Sequence, residues 1–357
     1  PENELIMGSV DEVTGMQRIW DDISGQELDQ EMVKRARAEE MKEFKKHNVY
    51  TKVPIEECMR ETGNKPIGHR WVDIDKGDRN HPNYRSRLVA KEINVCKRDD
   101  LFAATPPWEA FKMLVTLFMT VGVGIQGSNR MSMAFYDVRR AYFHATVRRN
   151  VYIDLPEEDW EPGMCGRLNK SMYGTRDAAQ NWEHEYCSFF ASMGFERGRS
   201  STCIFYHESR NIRVVIHGDD LAVLAWDEEL DWFEKKIQER YEIKITGRMG
   251  NKSGGIDSVR LLNRLITWNG LEVTVEADPR HQEIIVKELG LQDDSKGVAT
   301  PGVKRERNAG IAIENQTMYR SLVARALFLS MDRSDIVYAV KELSRNMSNP
   351  DSEDWND

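Results

Sequence analysis

Val214-Val215-Ile216-His217-Gly218-Asp219-Asp220-Leu221-Ala222-Val223-Leu224 is the stretch on which the reading of the fold turns. Apolar β-formers flank a short polar centre. That pattern predicts a hairpin whose tight turn presents Asp219 and Asp220, with Gly218 supplying permissive backbone. Taken alone, Gly-Asp-Asp is ordinary turn chemistry and says little about function. The pair gains meaning only from what surrounds it.

A second carboxylate stands upstream. Met131 to Val138 alternates toward a buried strand that carries Asp137 near its end. An Asp in that place also serves simply to cap a following helix. Both carboxylate sites together support a sharper reading. Two-metal phosphoryl transfer needs hard oxygen ligands from separate strands, holding two Mg²⁺ ions about 3.5–4 Å apart. A carboxylate on one strand beside a hairpin carrying another pair is the minimum that a protein must contribute.

Working outward, Met32 to Lys46 has the spacing of an amphipathic helix. His69 to Ile74 and Tyr84 to Ala90 are expected to pair as a hairpin around the Lys76–Pro82 loop. A helix is expected over Trp108 to Thr120, then a glycine-rich break from Gly122 to Gly127. Ala178 to Met193 places Ala179, Trp182, Tyr186, Phe189, Phe190 and Met193 on one helix face, with Gly194 where a terminating glycine belongs. Cys203–Tyr206, Arg213–Ile216 and Leu221–Ala225 are short strands, and Asp227 is expected to cap the next helix. Arg260 to Thr274 suggests paired strands around the Asn269-Gly270 turn. His281 to Leu289 and Met318 to Met347 are expected to be helical. The elements lack regular βα alternation, so an α+β fold is favoured over a doubly wound sheet.

The 357 residues exceed one compact core and suggest several subdomains. Hydrophobic content of 40% with 31% charged residues is that of a globular chain. No apolar run long enough to span a membrane is present, and the acidic N-terminus has no secretory pattern, so neither membrane insertion nor secretion is expected. Five scattered cysteines without a CxxC pair argue against a disulfide framework or a zinc knuckle. The net charge of −9 runs against nucleic-acid binding, but residues 1–31 hold nine acids and one base. The rest of the chain is close to neutral and can carry a basic cleft, because phosphate responds to local potential.

Beyond the carboxylates, the chain resembles copia-class retrotransposon reverse transcriptases. Asp137-Val138-Arg139-Arg140-Ala141-Tyr142 resembles the first polymerase motif, and Ile216-His217-Gly218-Asp219-Asp220 the third. Leu168-Asn169-Lys170-Ser171-Met172-Tyr173-Gly174 followed by Trp182 is similar to the family's Leu-x-Lys-Ser-Leu-Tyr-Gly signature. Val151 to Pro156, Arg87 to Lys91, Tyr319 to Leu322, Arg333 to Ile336 and Leu343 to Arg345 resemble further family blocks in the same order. The likeness runs from about Ala36 to Pro350.

The resemblance implies a right-hand polymerase with a mixed antiparallel palm sheet. Residues 1–31 are an acidic arm and 32–130 the fingers with the first palm helix. The palm is expected over 131–248, a hairpin and thumb start over 249–300, and a helical thumb or connection segment over 301–357. Asp137, Asp219 and Asp220 map onto the palm carboxylates, with the Val138 carbonyl as a further ligand for two Mg²⁺ ions (or Mn²⁺). Of the pair, Asp219 is the direct ligand and Asp220 mainly supporting. Tyr142 takes the place of the sugar gate that selects dNTP over rNTP, and Arg85, Arg87, Lys91 and Lys76 lie on the hairpin that faces the triphosphate. Arg139, Arg140, Arg148 and Arg149 are open to two readings, template–primer backbone or solvated surface.

The implied activity is RNA-directed DNA polymerisation on a primed RNA or DNA template. Its partners are dNTPs and the RNase H and integrase regions of one polyprotein, in a cytoplasmic retroelement particle or the nucleus. Three departures from the family pattern motivate an alternative, a domesticated or inactive subunit that binds nucleic acid. His217-Gly218 replaces the aromatic before the Asp pair, Thr175-Arg176-Asp177-Ala178-Ala179 replaces Leu-Lys-Gln-Ala-Pro, and Lys91-Glu92-Ile93-Asn94 replaces a Lys-Gly-x-x-Gln element. An RNA-directed RNA polymerase is a third reading, disfavoured by Tyr142 and the copia-like blocks.

Overall fold

Strands Ile212–His217 and Asp220–Ala225 pair antiparallel with His217 opposite Asp220, which leaves Gly218 and Asp219 as a two-residue turn. Gly218 has φ +63°, the left-handed conformation that such turns demand of their first residue. This computed structural model describes residues 18–78, 80–93, 101, 103–250, 254–292, 294–297 and 310–356. Residues 1–17 of the acidic arm, and Asn94, lie outside the described residues.

Ser132–Val138 joins the other side of the hairpin, antiparallel to Asp220–Ala225. The full sheet has six strands in the order Glu196–Arg197, Ile204–His207, Ile212–His217, Asp220–Ala225, Ser132–Val138 and Ile243–Met249. Alternation sends Ala134, Tyr136 and Val138, with Val214, Ile216, Leu221 and Val223, into a core shared with helices Ala178–Ser192 and Asp227–Arg240. The opposite face carries Met133, Phe135, Ala222 and Leu224, also buried, so both faces of the sheet's centre are covered. Asp137 and Asp220 fall on this second face, away from the two helices.

The expected hairpin of His69–Asp75 with Tyr84–Ala90 forms, in register from His69 opposite Ala90 to Asp75 opposite Tyr84. Helix Gln30–Lys46 begins two residues earlier than the spacing suggests, because the Asp29 side chain accepts from the Met32 N–H and caps it. Its Met41 and Phe44 pack with Leu88, Ala90, Phe143, Ile153 and Leu168 in a second core cluster. A three-stranded sheet, Tyr50–Pro54 with Met164–Leu168 and Tyr152–Ile153, completes that neighbourhood.

The chain divides into two compact units, one from the stretches up to Phe118 and Met131–Thr246, the other from Met119–Arg130 and from Gly247 onward. The second unit holds a three-stranded antiparallel sheet, Ser258–Leu261, Arg264–Trp268 and Val273–Ala277, and helices Arg280–Glu288, Gln316–Ser330 and Val337–Ser344. Arg264 is buried there, its guanidinium 4.6 Å from the Phe328 ring and paired with Asp332.

Three local expectations are corrected. The Arg260–Thr274 region has a second turn at Leu262-Asn263, where both residues take positive φ, and so folds as three strands. The helix expected over Met318–Met347 breaks between Ser330 and Val337, where Arg333 folds back in a bidentate pair with Asp335. Asp227 is the first helical residue and Trp226 the N-cap, so Asp227 meets the helix dipole and does not cap it. Among the described residues no helix is long and apolar enough to cross a membrane.

Candidate active site

Register brings the carboxylates together. Asp220 stands directly opposite Asp137 on adjacent antiparallel strands, and the Val138 N–H donates to the Asp219 carbonyl at 2.8 Å. Directly opposed side chains have their Cβ atoms about 4.5–5.5 Å apart, and like charges so placed repel. The electrostatics follow. Burial and then the Asp219 and Asp137 charges push the Asp220 carboxyl up to about 6. The Asp219 carboxyl moves the same way through partial burial and Asp137, opposed by its own backbone N–H, Arg87 and His217. Asp137, Asp219 and Asp220 offer the hard oxygen donors that Mg²⁺ or Mn²⁺ prefers, and Arg87 and His217 offset only part of the charge on Asp219.

The turn is held from behind. Trp182 Nε1 donates to the Gly218 carbonyl at 2.7 Å, from a ring that is buried in the main core. The Trp of the Tyr-Gly-to-Trp signature therefore fixes the turn that presents the Asp pair. Its motif was visible in the sequence, but its partner lies 36 residues away and was not.

Tyr142 is half-buried on the short helix Ala141–His144, with its ring 5.0 Å from that of Tyr173. Burial, then Asp219, raises its hydroxyl, and Arg87 acts in the opposite sense. Arg87 lies with its guanidinium 4.8 Å from the Tyr173 ring. Burial pushes the Tyr173 hydroxyl up to about 12, with Arg87 opposing. Tyr142, Tyr173, Arg87 and Asp219 thus share one electrostatic neighbourhood. Tyr173 is a member that the sequence reading quoted within a motif without giving it a role.

Arg85 and Arg87 alternate onto one exposed face of their strand while Ser86 and Leu88 are buried. The Lys76 ammonium is lowered by partial burial, then by the Arg85 and Arg87 charges, and Asp137 and Asp219 act in the opposite sense. Lys76 therefore lies in the field of all four. Lys91 has other neighbours: its N–H donates to the Gly68 carbonyl, and its side chain passes Gly68 near Asp154 and His69. Of the four downstream arginines, Arg139 pairs with Glu242, Arg140 with Glu40, and Arg149 with both Glu92 and Asp177, whereas Arg148 is exposed.

Residues 50–264, more than half of the chain, match the family described as Reverse transcriptase (RNA-dependent DNA polymerase). The chain belongs to the reverse transcriptase family. It is of the copia class of retrotransposon reverse transcriptases. The retrovirus-related Pol polyprotein from transposon TNT 1-94 of Nicotiana tabacum is 24% identical over 343 residues, covering 90% of this chain and 24% of that protein. The Pol polyprotein from transposon RE2 of Arabidopsis thaliana is 25% identical over 303 residues, covering 81% and 20% respectively. A truncated Ty1-A Gag-Pol polyprotein of Saccharomyces cerevisiae is 26% identical over 114 residues, covering 30% and 9%. The chain spans about a quarter or less of the curated relatives that it matches.

Two departures of this reverse transcriptase from the family pattern meet in space. Arg149 Nη2 donates to Glu92 at 2.6 Å and to Asp177 at 2.8 Å, and the Arg176 N–H donates to Glu92 at 2.8 Å. Glu92 stands where the family has Gly, and Asp177 where it has Gln. Next to them Gly174, at φ +84°, lets its backbone pass Ala90, whose carbonyl a Cβ would meet at 2.0 Å. The Ala90 N–H donates to the Tyr173 carbonyl across that approach.

Proposed function

We propose that this chain is an RNA-directed DNA polymerase, a nucleotidyltransferase that adds dNTPs to a primer 3′-hydroxyl by two-metal phosphoryl transfer. The observation that carries the reading is the register of Asp137 against Asp220, with Asp219 at the adjoining turn. In the right-hand description, the six-stranded sheet is the palm, and the His69–Ala90 hairpin belongs to the fingers. The helical second unit then corresponds to thumb and connection. Asp137, Asp219 and Asp220, with the Val138 carbonyl, are the groups to hold two Mg²⁺ or Mn²⁺ ions. Bound there, the ions supply Lewis acidity to the primer hydroxyl and neutralise the triphosphate and departing pyrophosphate.

The side chains around the carboxylates do the positioning. Arg85, Arg87 and Lys76 offer cationic donors to phosphate oxygens. Stacking on Tyr173 limits the places the Arg87 guanidinium can occupy. The Tyr142 ring, braced by Tyr173, excludes a 2′-hydroxyl and so favours dNTP. RNase H and integrase regions are the neighbours that the family resemblance implies, and the relatives' names as Pol polyproteins are in keeping with a longer parent chain.

Primer extension on an RNA template tests the reading. Extension with dNTPs in Mg²⁺ or Mn²⁺, and poor extension with rNTPs, is the expected result. Tight template binding without extension in either metal overturns it and favours a nucleic-acid-binding subunit, the reading motivated by His217-Gly218. Preference for rNTPs points instead to RNA synthesis.

A further inference from the structure

We infer that Glu40, on the Gln30–Lys46 helix, is a positioning residue for nucleotide selection: it pins Arg140 and thereby sets the segment between Asp137 and Tyr142. The inference rests on the polymerase reading above and adds to it a residue outside every polymerase motif.

Arg140 stands three residues after Asp137 and two before Tyr142. It takes φ 50° and ψ 47°, left-handed backbone without the freedom of glycine. Such backbone is strained for a residue with a side chain and persists only where its surroundings over-determine it. The backbone before it is fixed by the strand and by the Arg139 N–H donating to the Glu242 carbonyl at 2.8 Å. The backbone after it starts the short helix, where the Phe143 N–H donates to the Arg140 carbonyl at 2.8 Å. Arg140 is therefore the bend between the carboxylate strand and the helix that aims Tyr142.

What holds the bend is a buried carboxylate. Arg140 Nε donates to Glu40 Oε2 at 3.0 Å, with Glu43 3.7 Å from the same guanidinium. Glu40 is 4% exposed, and its other oxygen, Oε1, is buried without a hydrogen-bond partner. A half-satisfied buried carboxylate is costly, and an apolar side chain there avoids the cost. Burial raises the carboxyl, and Arg140, then Arg87, act against it. One carboxylate thus answers to Arg140 on the side of Tyr142 and to Arg87 on the side of the triphosphate. Both sides meet at Tyr173, which touches the Tyr142 ring and carries the Arg87 guanidinium. Helix and sugar gate are joined through the Glu40–Arg140 contact.

The test compares wild type with Glu40→Gln and Arg140→Gly; glycine accepts the left-handed backbone but loses the pin. Two quantities are measured: the dNTP-to-rNTP ratio of kcat/KM, and amide hydrogen exchange across residues 139–145. Loss of the pin is expected to lower the ratio at least about tenfold and to speed exchange in that segment, and Arg140→Lys should recover part of both. A folded Glu40→Gln with wild-type ratio and wild-type protection overturns the inference. If Glu40→Gln fails to fold, Arg140→Gly decides by the same two readouts. If wild type itself extends no primer, the polymerase reading fails. The exchange arm still judges the pin: retained protection in the variants overturns it, and lost protection supports it.

Discussion

At Asp220 a partly buried carboxylate faces Asp137 across one antiparallel junction and follows Asp219 in sequence, so burial first, and then the two neighbouring charges, make its ionised form unfavourable. The sign is definite. Its folded value, about 6, lies above the ordinary 3.8, so the folded state binds the proton more tightly and loses stability as pH rises through that window. Asp220→Asn is therefore expected to raise the melting temperature of the metal-free protein near neutral pH, by about 2–4 °C for each kcal/mol of relieved repulsion. It should also weaken Mn²⁺ binding. Thermal melts with a chelator, then with Mn²⁺, check this; an unchanged or lower metal-free melting temperature contradicts it. The three carboxylates were legible in the sequence because turn chemistry and motif order pointed to them. Glu40 was not, because a helix position among alternating charges does not show which carboxylate is buried. The left-handed Arg140 was equally hidden, since no glycine marks it.

Among the elements, the His69–Ala90 hairpin was legible almost to the residue, through its alternation and the polar loop that separates two apolar runs. The order of the central sheet was not: Ser132–Val138 lies beside Asp220–Ala225, and the intervening chain gives no local signal of that pairing. The departures at Glu92 and Asp177 are far apart in sequence, and in space they share Arg149. With Asp177 almost fully buried and Arg149 about a quarter exposed, removing one partner leaves charge uncompensated. A double-mutant cycle of Arg149→Met and Asp177→Asn, read by urea denaturation, is expected to show a coupling of about 1–3 kcal/mol. Additivity to within about 0.5 kcal/mol would show that the Arg149–Asp177 pair carries no coupling.

For the molecule as a whole, pH dependence has a second contributor of opposite sign. Burial first, and then the His47 charge, lower the His144 imidazole to about 4, with the two rings 5.0 Å apart. Its folded value lies below the ordinary 6.5, so the unfolded chain takes up the proton first. Stability from the neutral ring is present above pH 6.5 and is lost as pH falls toward about 4. His144→Asn should flatten the denaturation midpoint across that window, and parallel curves for variant and wild type would contradict the assignment. The α+β class was legible at this scale from the lack of βα alternation. The joining of Met119–Arg130 with the C-terminal unit was not, because it depends on contacts distant in sequence. Asp137, Asp219 and Asp220 are proposed to form one polymerising metal site. The most direct measurement is the single-nucleotide extension rate of Asp137→Asn against wild type on a primed RNA template in Mg²⁺. A loss of at least about 10²–10³-fold in a variant that folds and binds template is the predicted result; extension at the wild-type rate would contradict it.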